Sequence, residues 1–174
     1  MITFIAFALS LLTCDSALTS ITEHQTPNTE LSIGLGIIAP IGGLTNIALM
    51  GKEIKISYQY SNYVGAERKS RYGGEKLEYR LINLNRGELN INIFQISGGG
   101  KIRVFRNIYC SAGAGAYHII ETAKIGEERS SGFWTHLGLT ATYRIGKGQF
   151  LIPEIAYYTV PKAIALTLNF GIKL

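Results

Sequence analysis

Ala163-Ile-Ala-Leu-Thr-Leu-Asn-Phe-Gly-Ile-Lys-Leu174, the final stretch of the chain, alternates without a break. Successive side chains of a strand point to opposite faces. One face therefore carries Ile164, Leu166, Leu168, Phe170, Ile172 and Leu174, and the other Ala163, Ala165, Thr167, Asn169, Gly171 and Lys173. Such a strand either lines a soluble core or faces lipid from the wall of a barrel.

The same period recurs upstream. Leu31 to Ala39 opens it, Ile54 to Ser61 and Leu77 to Leu81 follow, and Leu89 to Val104 forms a long fourth strand. Gly98-Gly99-Gly100 inside that strand predicts a bulge or sharp bend. Ile108 to Thr122, Phe133 to Ile145 and Phe150 to Val160 complete the set, with short turns at Asn85-Arg86-Gly87, Arg106-Asn107, Gly146 to Gln149 and Val160-Pro161-Lys162. The count is about eight strands in an antiparallel meander, with no convincing helix. Two charged stretches, Ala66 to Lys76 and Lys124 to Gly132, read as solvated loops.

The 174 residues suit one domain. No run reaches the roughly 20 apolar residues that a spanning helix needs, so a bilayer would be crossed by strands. The net charge of +5 is modest and dispersed, which argues against a nucleic-acid surface. Cys14 and Cys110 are the only cysteines, and no disulfide framework follows from them.

Residues 1–17 read as an export signal: an apolar run from Ile2 to Leu12, then small and polar residues to Ala17. No Lys or Arg precedes the run. Leu11-Leu12-Thr13-Cys14 is an imperfect lipobox, with lipidation of Cys14 as the minor reading. Residues 18–30 form a polar linker, and 31–174 the barrel domain.

The row opposite the apolar one decides between core and lipid. It is mostly Gly, Ser, Thr, Asn and Ala, which suits the inside of a narrow eight-stranded barrel better than a water-facing surface. Its few charges, Glu78, Arg80, Arg103, Arg144 and Lys173, are of both signs and could pair in an enclosed lumen. Closure satisfies every backbone group within lipid. Tyr58, Tyr60, Tyr79, Tyr143, Tyr158 and Phe170 on the apolar rows are candidates for interfacial girdles.

Leu31-Ser-Ile-Gly-Leu-Gly36, Ile108-Tyr-Cys-Ser-Ala-Gly-Ala-Gly-Ala-Tyr117 and the final alternation resemble the small eight-stranded outer-membrane β-barrel proteins of Gram-negative bacteria. The resemblance implies residence in the outer membrane, contact with its lipid, and a last strand read by the barrel assembly machinery. In that family the last strand ends in an aromatic residue; here the last residue is Leu174 and the aromatic is Phe170.

Some barrels of this kind modify lipid A, a chemistry that would call for a histidine with a nucleophile or an acid in reach. His24 lies in the linker. His118 and Glu121 fall on opposite faces of a strand. His136 shares the interior row with Trp134 and Arg144 but lacks the His-x-Ser arrangement of the lipid A deacylases, and no nucleophile, base and orienting acid assemble from local spacing. Gly34 to Ala39 fits G-x-G-x-x-A, yet Pro40, Gly42 and Gly43 follow where a helix is required.

The expectation is thus an all-β fold, a single closed antiparallel up-and-down transmembrane β-barrel with no catalytic, cofactor or metal site. Its role would be structural, or interaction with a surface ligand through charged loops such as Ala66 to Lys76. The alternatives are a soluble periplasmic or lipid-tethered barrel holding a small apolar ligand, which needs the Leu and Ile rows inside, and a lipid A-modifying enzyme centred on His136.

Overall fold

The structure, a computed structural model, describes residues 28–41, 51–64, 71–86 and 88–174. The export segment, Cys14, His24 and the centre of the charged stretch at 65–70 lie outside the described residues.

Nine strands follow one another: β1 (Asn28–Pro40), β2 (Gly51–Val64), β3 (Arg71–Arg86), β4 (Leu89–Phe105), β5 (Ile108–Ala123), β6 (Gly126–Ala141), β7 (Tyr143–Gly146), β8 (Gln149–Thr159) and β9 (Lys162–Lys173). Each pairs antiparallel with its neighbour, except that both β6 and β7 pair with β8. β6 and β7 are one stave interrupted at Thr142. There the β4–β5 turn fills the break, for Thr142 N–H donates to Asn107 O (2.9 Å) and Asn107 Nδ2 donates to Thr142 O (3.2 Å). The wall therefore has eight staves, closed by β9 on β1, with Leu31 opposite Ile172 and Ala39 opposite Ile164.

A path taken straight across the pairings, from Ala163 through Tyr158, His136, Gly113, Gly99, Lys76, Gln59 and Glu30, returns to β9 at Lys173, ten residues from its start. That stagger tilts eight staves by about 40° and fixes a lumen just wide enough for side chains. With an even number of staves, Asn28, Leu174 and the strand ends joined by the β2–β3, β4–β5 and β7–β8 connections share one end (the termini end). The opposite, loop end carries the other four connections.

Alternation translates directly into sidedness. Leu31, Ile33, Leu35 and Ile37 on β1, Ile54 to Tyr60 on β2 and Ile164 to Ile172 on β9 face outward, with Leu35 67% exposed. The described residues include twenty-six such large apolar or aromatic side chains. Withholding half of each from an apolar medium forgoes roughly 1 kcal/mol apiece. The total exceeds the roughly 5–15 kcal/mol of a whole domain's stability, so the wall is built for lipid. A soluble barrel with these rows inside is not what the chain forms.

Three local expectations need correction. Gly98, Gly99 and Gly100 stay in register with β3 and β5 on both sides, and the shift in β4 falls later, between Arg103 and Phe105. Of the three only Gly99 serves close approach: a Cβ there would overlap the Ala112 carbonyl oxygen, as one on Gly115 of β5 would overlap that of Ile96. Lys124 to Gly132 is a loop only at Lys124-Ile125, since Glu127 to Gly132 pair with Thr122 to Tyr117. That hairpin has water on both faces, so it needs no apolar period to be a strand. Finally, β1 begins at Asn28, β2 at Gly51 and β3 at Arg71, each ahead of the first apolar residue that marks it in the sequence.

Candidate functional site

The lumen is layered. Near the loop end the inward positions are Ile38, Ile82, Leu84, Ile93, Trp134, Tyr158, Ala163 and Ala165, an apolar cap buried inside the barrel. This corrects the expectation of a wholly polar interior. Alternation lapses at Ile37-Ile38 and Leu81-Ile82, where both faces are apolar because one meets lipid and the other meets the cap.

Below the cap six charges are packed together, three of each sign. Arg80, from β3, donates to Glu53 (2.7 Å), Glu78 (2.8 Å) and Glu154 (3.1 Å). Lys55 pairs with Glu78 (3.0 Å) and Glu154, and Lys76 with Glu78 (2.6 Å) and Glu154 (3.6 Å). Tyr158 Oη and Thr167 Oγ1 donate to the two oxygens of Glu53 (2.7 and 2.9 Å). The Arg80 guanidinium also lies over the rings of Tyr158 (4.6 Å) and Trp134 (5.7 Å). Burying an ion costs several kcal/mol, and the close opposite charges of this network, with the hydroxyls of Tyr158 and Thr167 on Glu53, offset that cost, while Arg80 Nε and His136 Nδ1 are buried without a hydrogen-bond partner.

His136 belongs to this network. Its ring stacks on Trp134 (5.1 Å between centroids), its Nε2 lies 3.1 Å from Glu78 Oε2, and it is 5% exposed. It therefore sits inside the barrel, remote from the lipid-facing wall on which a lipid ester would lie. On the outer wall His118 Nδ1 meets Ser131 Oγ at 2.7 Å, a cross-strand pair hidden in the sequence. Among the described residues no carboxylate orients that ring, and Glu121 lies on the other face, as expected. No group of metal-binding side chains is found among the described residues.

On the termini side of the network a cavity of about 10 Å³ is lined by polar groups including Ser57, Gln59, Lys101, Ser111 and Asn169. That is room for about one water.

Several expected positions change. Lys76, read as part of a charged loop, is a lumen residue, because β3 already runs inward at that point. Arg144 and Lys173, expected inside, are exposed: the stave breaks before Arg144, and Lys173 ends β9 at the rim. Tyr158 points into the lumen rather than to an interface. The strand ends that flank residues 65–70, Val64 and Arg71, lie at the termini end. Glu53, Lys55 and Glu154 belong to the site although the sequence reading names none of them; their signal is a charge on the row opposite the outward apolar row of β2 and β8.

The loop end is uneven. β6 pairs with β8 only from His136 to Thr140, so from Gly126 to Thr135 its sole strand neighbour among the described residues is β5. Thr159 Oγ1 accepts from Thr135 N–H (2.8 Å) and donates to Thr135 O (3.1 Å), capping the last of this edge. Beyond it the β5–β6 hairpin projects, with Phe133 at its base 88% exposed.

No protein-family model matches the chain, and no curated protein matches it. Solved structures do. The outer membrane protein Ail of Yersinia pestis in phospholipid bilayer nanodiscs is 12% identical, with 86% of this chain and 100% of that one covered, at a TM-score of 0.52. Neisserial surface protein A is 11% identical over 85% and 96%, also at 0.52. The N-terminal β-barrel domain of Pseudomonas aeruginosa OprF is 9% identical over 86% and 100%, at 0.51. At such identities the shared property is the fold, and that fold is the small eight-stranded outer-membrane β-barrel.

Proposed function

We propose that this chain is an integral protein of the outer membrane of a Gram-negative bacterium that conducts nothing and catalyses nothing, and serves as a scaffold for surface interaction. The observation that carries the reading is the contrast between a filled lumen and an unfilled edge. The six-charge network and the apolar cap occupy the interior, while β6 projects with one side unpaired among the described residues. An exposed strand edge offers backbone donors and acceptors to an extended segment of another protein. The hairpin, rather than the stretch from Ala66, is then the partner-facing element. During biogenesis β9 is the strand the barrel assembly machinery would read, with Phe170 as its aromatic.

The test is fractionation combined with surface labelling. The protein should be recovered with the outer membrane and migrate differently on gels before and after heating. A Ser130→Cys variant in a Cys110→Ser background should react with a membrane-impermeant maleimide on intact cells. Recovery in the soluble fraction without detergent, or labelling only after lysis, would overturn the reading.

A further inference from the structure

The outward rows of β2, β3 and β4 leave the apolar belt together, and what replaces it is not a random polar rim. On β3 the row runs Leu77, Tyr79, Leu81 and then Asn83; on β4 it runs from Asn90 and Asn92 into Phe94 and Ile96; on β2 it begins with Lys52 ahead of Ile54 and Ile56. Register places Lys52 opposite Asn83 and Asn83 opposite Asn92.

Asn83 Nδ2 donates to Oδ1 of both Asn90 (2.7 Å) and Asn92 (2.8 Å), which fixes the three amides as a ladder. This leaves Asn83 Oδ1 and the amide N–H groups of Asn90 and Asn92 without a protein partner among the described residues. The Lys52 ammonium likewise has no carboxylate within ion-pair distance among them. A cation, an acceptor and a set of donors are thus held in order on the outside of the wall, directly above seats for acyl chains on Ile54, Ile56 and Leu81. From Lys52 to Asn92 the platform is two strand spacings wide, about 10 Å. That width suits a disaccharide rather than a glycerol headgroup.

We propose that Lys52 and the Asn83–Asn90–Asn92 ladder form a docking site for the phosphorylated saccharide headgroup of an outer-leaflet lipid. Lys52 takes the phosphate, since a charge-assisted hydrogen bond is the strongest this surface can offer. The amides take sugar hydroxyls, each of which is donor and acceptor at once and so matches an amide edge. The inference rests on the proposed function, which places the loop end at the outer leaflet.

The test uses the full chain refolded into phosphatidylcholine vesicles doped with either a diphosphorylated glucosamine-disaccharide lipid or phosphatidylglycerol. Lipid retained on the protein is counted by native mass spectrometry, and heat-modifiable migration confirms that each variant has folded. The wild type should retain the glycolipid in preference to phosphatidylglycerol. Lys52→Gln and the Asn83→Ala/Asn92→Ala pair should each retain about tenfold less, the loss expected when a charged or a paired hydrogen bond is removed. Glu75→Gln, on the same outward row of β3 toward the termini end, should leave retention unchanged. Equal retention of both lipids by the wild type, or undiminished retention by both variants, would overturn the site. This readout is independent of cellular location, so its failure is distinct from failure of the fractionation that tests the proposed function.

Discussion

Replacing Arg80 with Met removes the one described group that touches all three glutamates of the network, with contacts of 2.7, 2.8 and 3.1 Å to Glu53, Glu78 and Glu154. Three carboxylates would then face two lysines in a space that offers little water. Removing one partner of a buried pair costs about 3–5 kcal/mol. The lost stacking over Tyr158 and Trp134 adds about 1 kcal/mol or more. With a urea slope of about 2 kcal/mol per molar, the unfolding midpoint should fall by about 2–3 M. The chain supplies its own probe, since Trp134 is its only tryptophan, is 1% exposed and lies beside Arg80. Its fluorescence, followed in urea with the protein refolded in vesicles, reports the transition. Arg80→Lys, which keeps the charge and loses the fork, should fall between the two. Adding Glu53→Gln to Arg80→Met restores the balance of charge and should recover part of the loss. A midpoint for Arg80→Met within about 0.5 M of the wild type would refute the reasoning, for it would mean that the network is solvated and the lumen not filled.

Two further predictions address the wall. Gly115→Ala should abolish heat-modifiable folding, because the new methyl group meets a backbone carbonyl that cannot move, whereas Gly98→Ala, which opens onto free space, should fold as the wild type does. Leu168→Arg, at the middle of the outward row of β9 and 53% exposed, should destabilise the protein in vesicles by about 2–4 kcal/mol, measured by the same urea titration. A negligible change would mean that this row is not in lipid.

Period-two alternation made the wall legible because lipid and lumen demand opposite chemistry at successive residues. β9 and β1 read correctly for that reason, as did their pairing. The lumen was half legible. Glu78 and Arg80 stood out on a short strand of clear period, but Glu53, Lys76 and Glu154 sit next to turns or prolines, where local context suggests a loop. What marks them is the set of partners contributed by β2, β3 and β8, which no single segment contains. The hairpin failed for the opposite reason: with solvent on both faces of Glu127 to Gly132, nothing imprints a period on the sequence, and only pairing with β5 defines the strand.

The closure of β9 on β1 also dictates when the protein can fold. Leu31 pairs with Ile172, and Gly36 with Thr167, so the edge donors and acceptors of β1 wait for β9 to be made. No shorter nascent chain can complete the cylinder, and contacts this far apart in sequence form slowly. Until then β1 is an apolar strand with an open edge, the kind of segment that aggregates in water. The cylinder therefore closes only when β1 and β9 meet, and the apolar edge of β1 stays open until then.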